Sequence, residues 1–223
     1  NDEGHDRTNG RIFKIVYNNA ANVKVDLTKL SDLELAKNQL HENEWFARHS
    51  RRLLQERSGR GKIAAETTGF LREELKSNKN VAFRLRCLWT LHVLGELSAE
   101  QHVALLGDTD ADVVAWTIQL LAEQRTVPAA AKTAFTQLAK THESPTVRLY
   151  LLSALQRMPA EDRWEIVQAL AQHKADANDH NLPLMLWYAA EPLVMANPTR
   201  GLEIMRTCEI PLVARFMARR AAA

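Results

Sequence analysis

Val113-Val114-Ala115-Trp116-Thr117-Ile118-Gln119-Leu120-Leu121 is an apolar run built around one tryptophan, and the chain returns to that arrangement. Scanning outward from it, Trp89, Trp116, Tyr150, Trp187 and Phe216 succeed one another at intervals of 27, 34, 37 and 29 residues. Each stands in the second helix of a two-helix unit that returns about six times between Ser31 and Arg220. A period of roughly 30 to 40 residues made only of helix pairs is the sequence mark of an α-solenoid.

Composition agrees with that reading. Among 223 residues, 8 Gly and 7 Pro are too few turn residues for an all-β fold. The expected fold class is therefore all-α: a right-handed α-solenoid of about six HEAT- or armadillo-like helix pairs, with a short extended N-terminal segment. Lys plus Arg number 29 against 27 acidic residues, so a net charge of +2 gives no global field toward nucleic acid or anionic lipid. No window holds 18 consecutive apolar residues, and no basic segment followed by an apolar stretch opens the chain, so neither a membrane span nor a signal peptide is expected in it. The chain does not begin with Met, and Asn1 to Arg7 reads like the middle of something longer.

Start signals fall where the repeat requires them. Arg11 to Tyr17 is a β-branched and aromatic run between Asn9-Gly10 and Asn18-Asn19, read as one strand without a ladder partner. Residues 1–29 are taken as an extended segment and 30–220 as the helical-repeat domain. Ser31 with Glu34 opens a first helix to His41, and Glu44 to Arg57 is its partner. Lys62 to Ser77, with Ile63, Phe70, Leu71 and Leu75 as its stripe, precedes Lys79 to Leu97, which closes near Gly95. Ser98 with Gln101 forms a second capping box, and Gly107 breaks the chain before Asp110 to Gln124. Pro128, Pro145, Pro159, Pro198 and Pro211 mark later starts, Pro128 being read as a first helical residue. Lys174 to Asn181 is a polar stretch expected to be the most mobile loop. The recurring aromatics are expected to fill the core, as is Trp164, because apolar neighbours such as Leu91, Ile118 and Leu152 surround them. A stacking ladder for bases or a pigment is the sharper alternative.

Most chemistry is excluded by spacing. Gly59-Arg60-Gly61-Lys62 lacks the Gly five positions ahead of Gly61 and the Ser or Thr after Lys62 that a phosphate loop needs. Asp108, Asp110 and Asp112 imitate a calcium loop, yet Val113 occupies the Gly position and Gln119 the place of the bidentate Glu, so helix capping is the reading. No Cys-x-x-Cys, haem-attachment sequence or zinc helix occurs. No metal or cofactor is expected in this chain, and no catalytic residue is assigned, since no Ser or Cys has a glycine-rich elbow or a nearby His. Cys87 and Cys208 lie four repeats apart, roughly 40 Å at about 10 Å per layer, and are expected to be free thiols. Arg48, Arg51, Arg52, Arg57, Arg60 and Lys62 are opposed locally only by Glu44 and Glu56 and form a candidate partner-binding cluster. A domain interface is favoured there over nucleic acid, because Arg is the residue of choice at such contacts.

Asp6-Arg7-Thr8-Asn9-Gly10-Arg11-Ile12-Phe13-Lys14-Ile15 resembles the closing strand of the β-propeller in planctomycete-type membrane-bound dehydrogenases, also described as haem-binding multidomain proteins. Leu85 to His92, Val113 to Leu121 and Asn181 to Ala189 resemble that family's helical-repeat segment in the same order. Departures are Cys87 where Ala is usual, and Val114 and Gln119 where Arg is common. The resemblance implies a segment between a sugar-dehydrogenase-like propeller and a cytochrome c domain in an exported, periplasmic or cell-envelope protein. It further implies a non-catalytic scaffold or interaction module whose partners are neighbouring domains or another protein. The competing expectation is a nucleic-acid-binding HEAT-like protein resembling the helical-repeat DNA glycosylases, with a basic concave face and exposed Trp. A bilin lyase or chaperone on the same repeats would need an acid or His constellation in its groove.

Overall fold

The computed structural model describes residues 24–222 together with Gly10, Phe13, Ile15, Tyr17 and Asn18. Among the described residues there are twelve α-helices and no strand, so the fold is all-α. The helices fall into six pairs. In chain order these are α1 (Asp32–Lys37) with α2 (Glu44–Ser58), α3 (Ala65–Ser77) with α4 (Val81–Val93), and α5 (Ala99–Leu105) with α6 (Ala111–Leu121). They continue with α7 (Ala129–Thr141) and α8 (Pro145–Leu155), α9 (Trp164–Leu170) and α10 (Leu182–Ala196), and α11 (Pro198–Thr207) and α12 (Pro211–Ala221). The two members of every pair touch. The second members also touch in unbroken succession from α2 through α4, α6, α8 and α10 to α12, while α1 meets α3 and α5, α7 and α9 meet in turn. This two-layer order is compatible with the expected solenoid.

Local chemistry explains the boundaries. At the start of α1 the Ser31 hydroxyl accepts from Glu34 N–H and the Glu34 carboxylate accepts from Ser31 N–H at 2.8 Å. Ser98 and Gln101 repeat this reciprocal pair at α5. Asp110 accepts from the N–H groups of Asp112 and Val113 and so caps α6, as its reading required. Gly95 adopts a φ of +69°, a conformation that strains any side chain. There Glu96 N–H reaches back to Leu91 C=O at 2.9 Å and α4 ends.

Several boundaries differ from expectation. Pro128 has an extended ψ of 146° and caps α7 instead of opening it. The first helix tightens after Lys37 into a 3-10 turn, Asn38–Leu40, that turns Asn38 onto the Ser50 hydroxyl and the buried Gln39 onto Ala47 C=O. Within Lys174 to Asn181, expected to be the most mobile loop, Lys174–Asn178 is a 3-10 turn whose Asp176 is buried and ion-paired with Arg148. A charge removed from water must be held in place by its partner, so this segment is pinned.

The core lies between the two layers in two clusters. One gathers Leu27, Leu35, Leu54, Leu71, Leu88 and Leu91; the other is centred on Phe135, Leu151, Leu155, Ile166 and Leu186. They adjoin at α6, where Val113 belongs to the first cluster and Val114 and Ile118 to the second. Trp164 is buried as expected. The five recurring aromatics sit at the edge of the core: Trp89, Trp116, Tyr150, Trp187 and Phe216 are each partly buried, and Trp116, Tyr150 and Trp187 pack against the two clusters. In α4 and α6 the fully buried positions, Cys87 and Leu91, and Val114 and Ile118, lie on the side turned away from Trp89 and Trp116. Phe13, Ile15 and Tyr17 are 82%, 97% and 84% exposed, whereas Leu27 is buried in the first cluster. The other residues of the expected strand, Arg11, Ile12, Lys14 and Val16, lie outside the described residues.

Candidate functional site

The second helices present two aromatic stretches, a path over α4, α6 and α8 and a separate pair on α10 and α12. The rings of Trp89 and Trp116 meet edge to face with centroids 4.7 Å apart, and Trp116 lies 6.0 Å from Tyr150. Farther along, Trp187 and Phe216 are 5.4 Å apart. Two shallow hollows open between these rungs. Trp89, Val93, Trp116 and Leu120 line the first, with His92 and Glu123 at its margin. Trp116, Gln119, Leu149, Tyr150, Ser153 and Met185 line the second, of about 420 Å³. Burial raises the Tyr150 phenol above its ordinary range, and the nearby Asp112 carboxylate adds to this.

The arginine cluster read from the sequence divides in space. Arg57 points inward, donating to Leu30 C=O, Thr28 C=O and Asp32 at 2.9, 2.9 and 2.7 Å, and so ties α2 to the start of the helical unit. Arg52 pairs with Glu56 on the surface, and Arg60 and Lys62 are exposed in the connection to α3. Arg51 alone joins the aromatic path: its guanidinium lies 5.2 Å from the centre of the Trp89 ring. Glu44 is shared by three arginines. Arg86 is ion-paired with it directly, Arg48 sits 3.6 Å away and Arg51 4.0 Å away. Arg86, which the sequence reading did not single out, also donates to His41 C=O at 2.8 Å. The pKa of Arg51 is lowered chiefly by burial, with Glu44 opposing and Arg86 and Arg48 adding to the fall.

Below the first hollow runs a chain of hydrogen bonds. His102 Nδ1 lies 2.9 Å from Ser98 C=O, which can only accept, so that nitrogen carries the proton. His102 Nε2 lies 3.2 Å from His92 Nδ1, and His92 Nε2 faces the Glu123 carboxylate at 2.8 Å. Burial holds the His102 imidazole below its ordinary pKa, and the neighbouring His92 works in the same direction. This chain links α4 and α5 to the turn after α6, and its members are 10 and 31 residues apart, which hides it in the sequence.

On the opposite layer an open groove of about 780 Å³ follows α7, α9 and α11. Its charges are largely matched: Lys132 reaches Asp162 at 2.6 Å, and Arg200 covers the Trp164 ring at 4.6 Å. Cys87 and Cys208 are both free thiols. The Cys87 thiol is pushed up to about 12, by burial first and the Glu74 charge second, so it behaves as a small apolar group. Among the described residues no group of three or more His, Cys, Asp or Glu side chains is arranged to hold a metal ion, and no helix is long and apolar enough to cross a membrane. The chain matches no family model and no curated protein.

Proposed function

We propose that this chain is a non-catalytic helical-repeat scaffold or protein-interaction module within a larger, exported, dehydrogenase-like and haem-containing protein. The observation that carries the interaction reading is the outer side of α4, α6 and α8, where Trp89, Trp116 and Tyr150 stay partly open to solvent. Large aromatic side chains that a fold leaves partly open are common anchors of a protein interface. The parent protein is supplied by the sequence resemblance. The nucleic-acid reading fits the same path less well, because Asp112 and Glu123 stand beside its rungs where a phosphate backbone would pass.

A photo-cross-linking amino acid placed at Gln119 on the aromatic side, and separately at Gln137 on the α7 groove, tests this in the cells that make the protein. Cross-linked peptides from a propeller, a cytochrome c domain or another polypeptide are expected from at least one position. Cross-links confined to nucleic acid, or to neither class, would reject the reading.

A further inference from the structure

We propose that the outer side of α2, α4, α6 and α8 is a docking groove for an extended peptide carrying an acidic residue at one end and large apolar side chains spaced along it. This rests on the interaction-module reading and names its surface. The cationic end is built by α2 and α4. Arg48, Arg51 and Arg86 share the single carboxylate of Glu44, which leaves a local excess of positive charge. Glu44 is already engaged by Arg86, so Arg48 and Arg51 both have donors to spare, and of the two Arg51 is the one that lies against the aromatic path. Its nearest carboxylate oxygen is 4.0 Å away, beyond hydrogen-bond distance, and its side chain is 17% exposed. Held against Trp89, it presents a planar fork of donors in a fixed direction, which suits a carboxylate.

From Arg51 the path is apolar and unbroken. Trp89 and Trp116 wall the first hollow, Trp116 and Tyr150 the second, and Met185 closes the far end. Packed helices lie 8–10 Å apart and an extended chain advances about 3.3 Å per residue, so successive hollows accept side chains roughly three residues apart. The charge pattern selects the partner class. A polyanion needs a cation at each step, whereas this groove has its positive excess at one end and carboxylates at Asp112 and Glu123 beside the rungs. One acid followed by apolar anchors satisfies both conditions.

Fluorescence polarisation with labelled nonapeptides tests the proposal on the whole chain. Each peptide carries tryptophan or leucine at three-residue spacing in a glycine-serine background, with a terminal glutamate, a terminal glutamine, or the glutamate moved to the centre; an oligothymidylate of similar length is the comparator. The terminal-glutamate peptide should bind about tenfold more tightly than the glutamine peptide. Arg51→Gln should abolish that difference while leaving the affinity of the glutamine peptide unchanged, which loss of folding would not do. Ser153→Arg, filling the second hollow from its margin, should weaken every peptide. Equal binding of the three peptides, binding of none, or tighter binding of oligothymidylate that depends on Arg51 would overturn the proposal. Polypeptide cross-links from Gln137 alone would sink this groove and leave the interaction-module reading standing.

Discussion

Arg148 stands four residues after the N-cap of α8, and Arg84 occupies the same place in α4. Each guanidinium closes the end of its own first helix and reaches into the next repeat. Arg84 donates to Leu75 C=O and pairs with Asp108; Arg148 donates to His142 and Glu143 C=O and pairs with Asp176. The corresponding position of α6 is Val114, which belongs to the core, so the device alternates with apolar packing along the stack. Side chains 5% and 7% exposed make Arg148 and Asp176 a buried pair, and removing one partner strands the other charge. Arg148→Ala should therefore lose about 3 to 5 kcal/mol in denaturant unfolding, while Arg48→Ala on the surface should change stability by less than about 0.5 kcal/mol. His102 gives a second test. Its folded pKa is depressed below 6.5 by burial, so the unfolded chain binds the proton more readily. Stability is then full above about pH 6.5 and falls as pH drops below it, His142, also depressed by burial, acting with the same sign. His102→Gln should flatten the fall between pH 7 and 5.5, measured as the unfolding midpoint; an unchanged slope would refute the assignment.

At the scale of helices, one close approach is decisive. A Cβ added at Gly201 would meet the Val194 side chain at 3.0 to 3.2 Å, tighter than ordinary contact, so α11 packs on α10 with Val194 having to shift to admit a methyl group. Gly201→Ala should destabilise by about 1 to 3 kcal/mol through overpacking, despite the better helix propensity of alanine. Val194→Ala in the same chain should recover part of that loss. Elements of this kind were largely legible in the sequence. The reciprocal bonds of Ser31 with Glu34 and Ser98 with Gln101 follow from local spacing, and so did the helix starts they mark. What stayed illegible depended on which side of a helix a neighbour covers. Trp89, Trp116 and Tyr150 have apolar neighbours in sequence, which reads as full burial, yet they lie at the edge of the core, with Trp116 and Tyr150 packed against it and partly open. Lys174–Asn178 looked loose because Arg148, the partner that fixes Asp176, is 28 residues away. The arginines of α2 showed the same limit: their number was visible, but not that Arg57 turns inward while Arg51 turns onto Trp89.

Across the whole molecule, contacts run from each pair to its neighbours, and the two core clusters adjoin at α6. Stability in such an arrangement is close to a sum of local terms, so damage to one end should not spread evenly. Leu71→Ala empties a fully buried site in the first cluster and should raise amide hydrogen exchange across α1 to α4 well before α8 to α12. Phe135→Ala, in the second cluster, should do the reverse, and uniform loss of protection in either variant would show a single cooperative unit. The same locality governs the N-terminal end. Among the described residues of the opening segment, Phe13, Ile15 and Tyr17 are exposed, so these three add almost no burial to the helical unit. Leu27 instead packs into the first cluster, and Arg57 fastens Thr28 and Leu30 to α2. Removing residues 1–25 should therefore leave the melting temperature within a few degrees, whereas Leu27→Ala in the full chain should lower it by more, because a buried leucine truncation costs about 2 to 5 kcal/mol. Loss of cooperative melting on removal of residues 1–25, with Leu27 intact, would place the opening segment inside the folded unit and refute the division drawn at its edge.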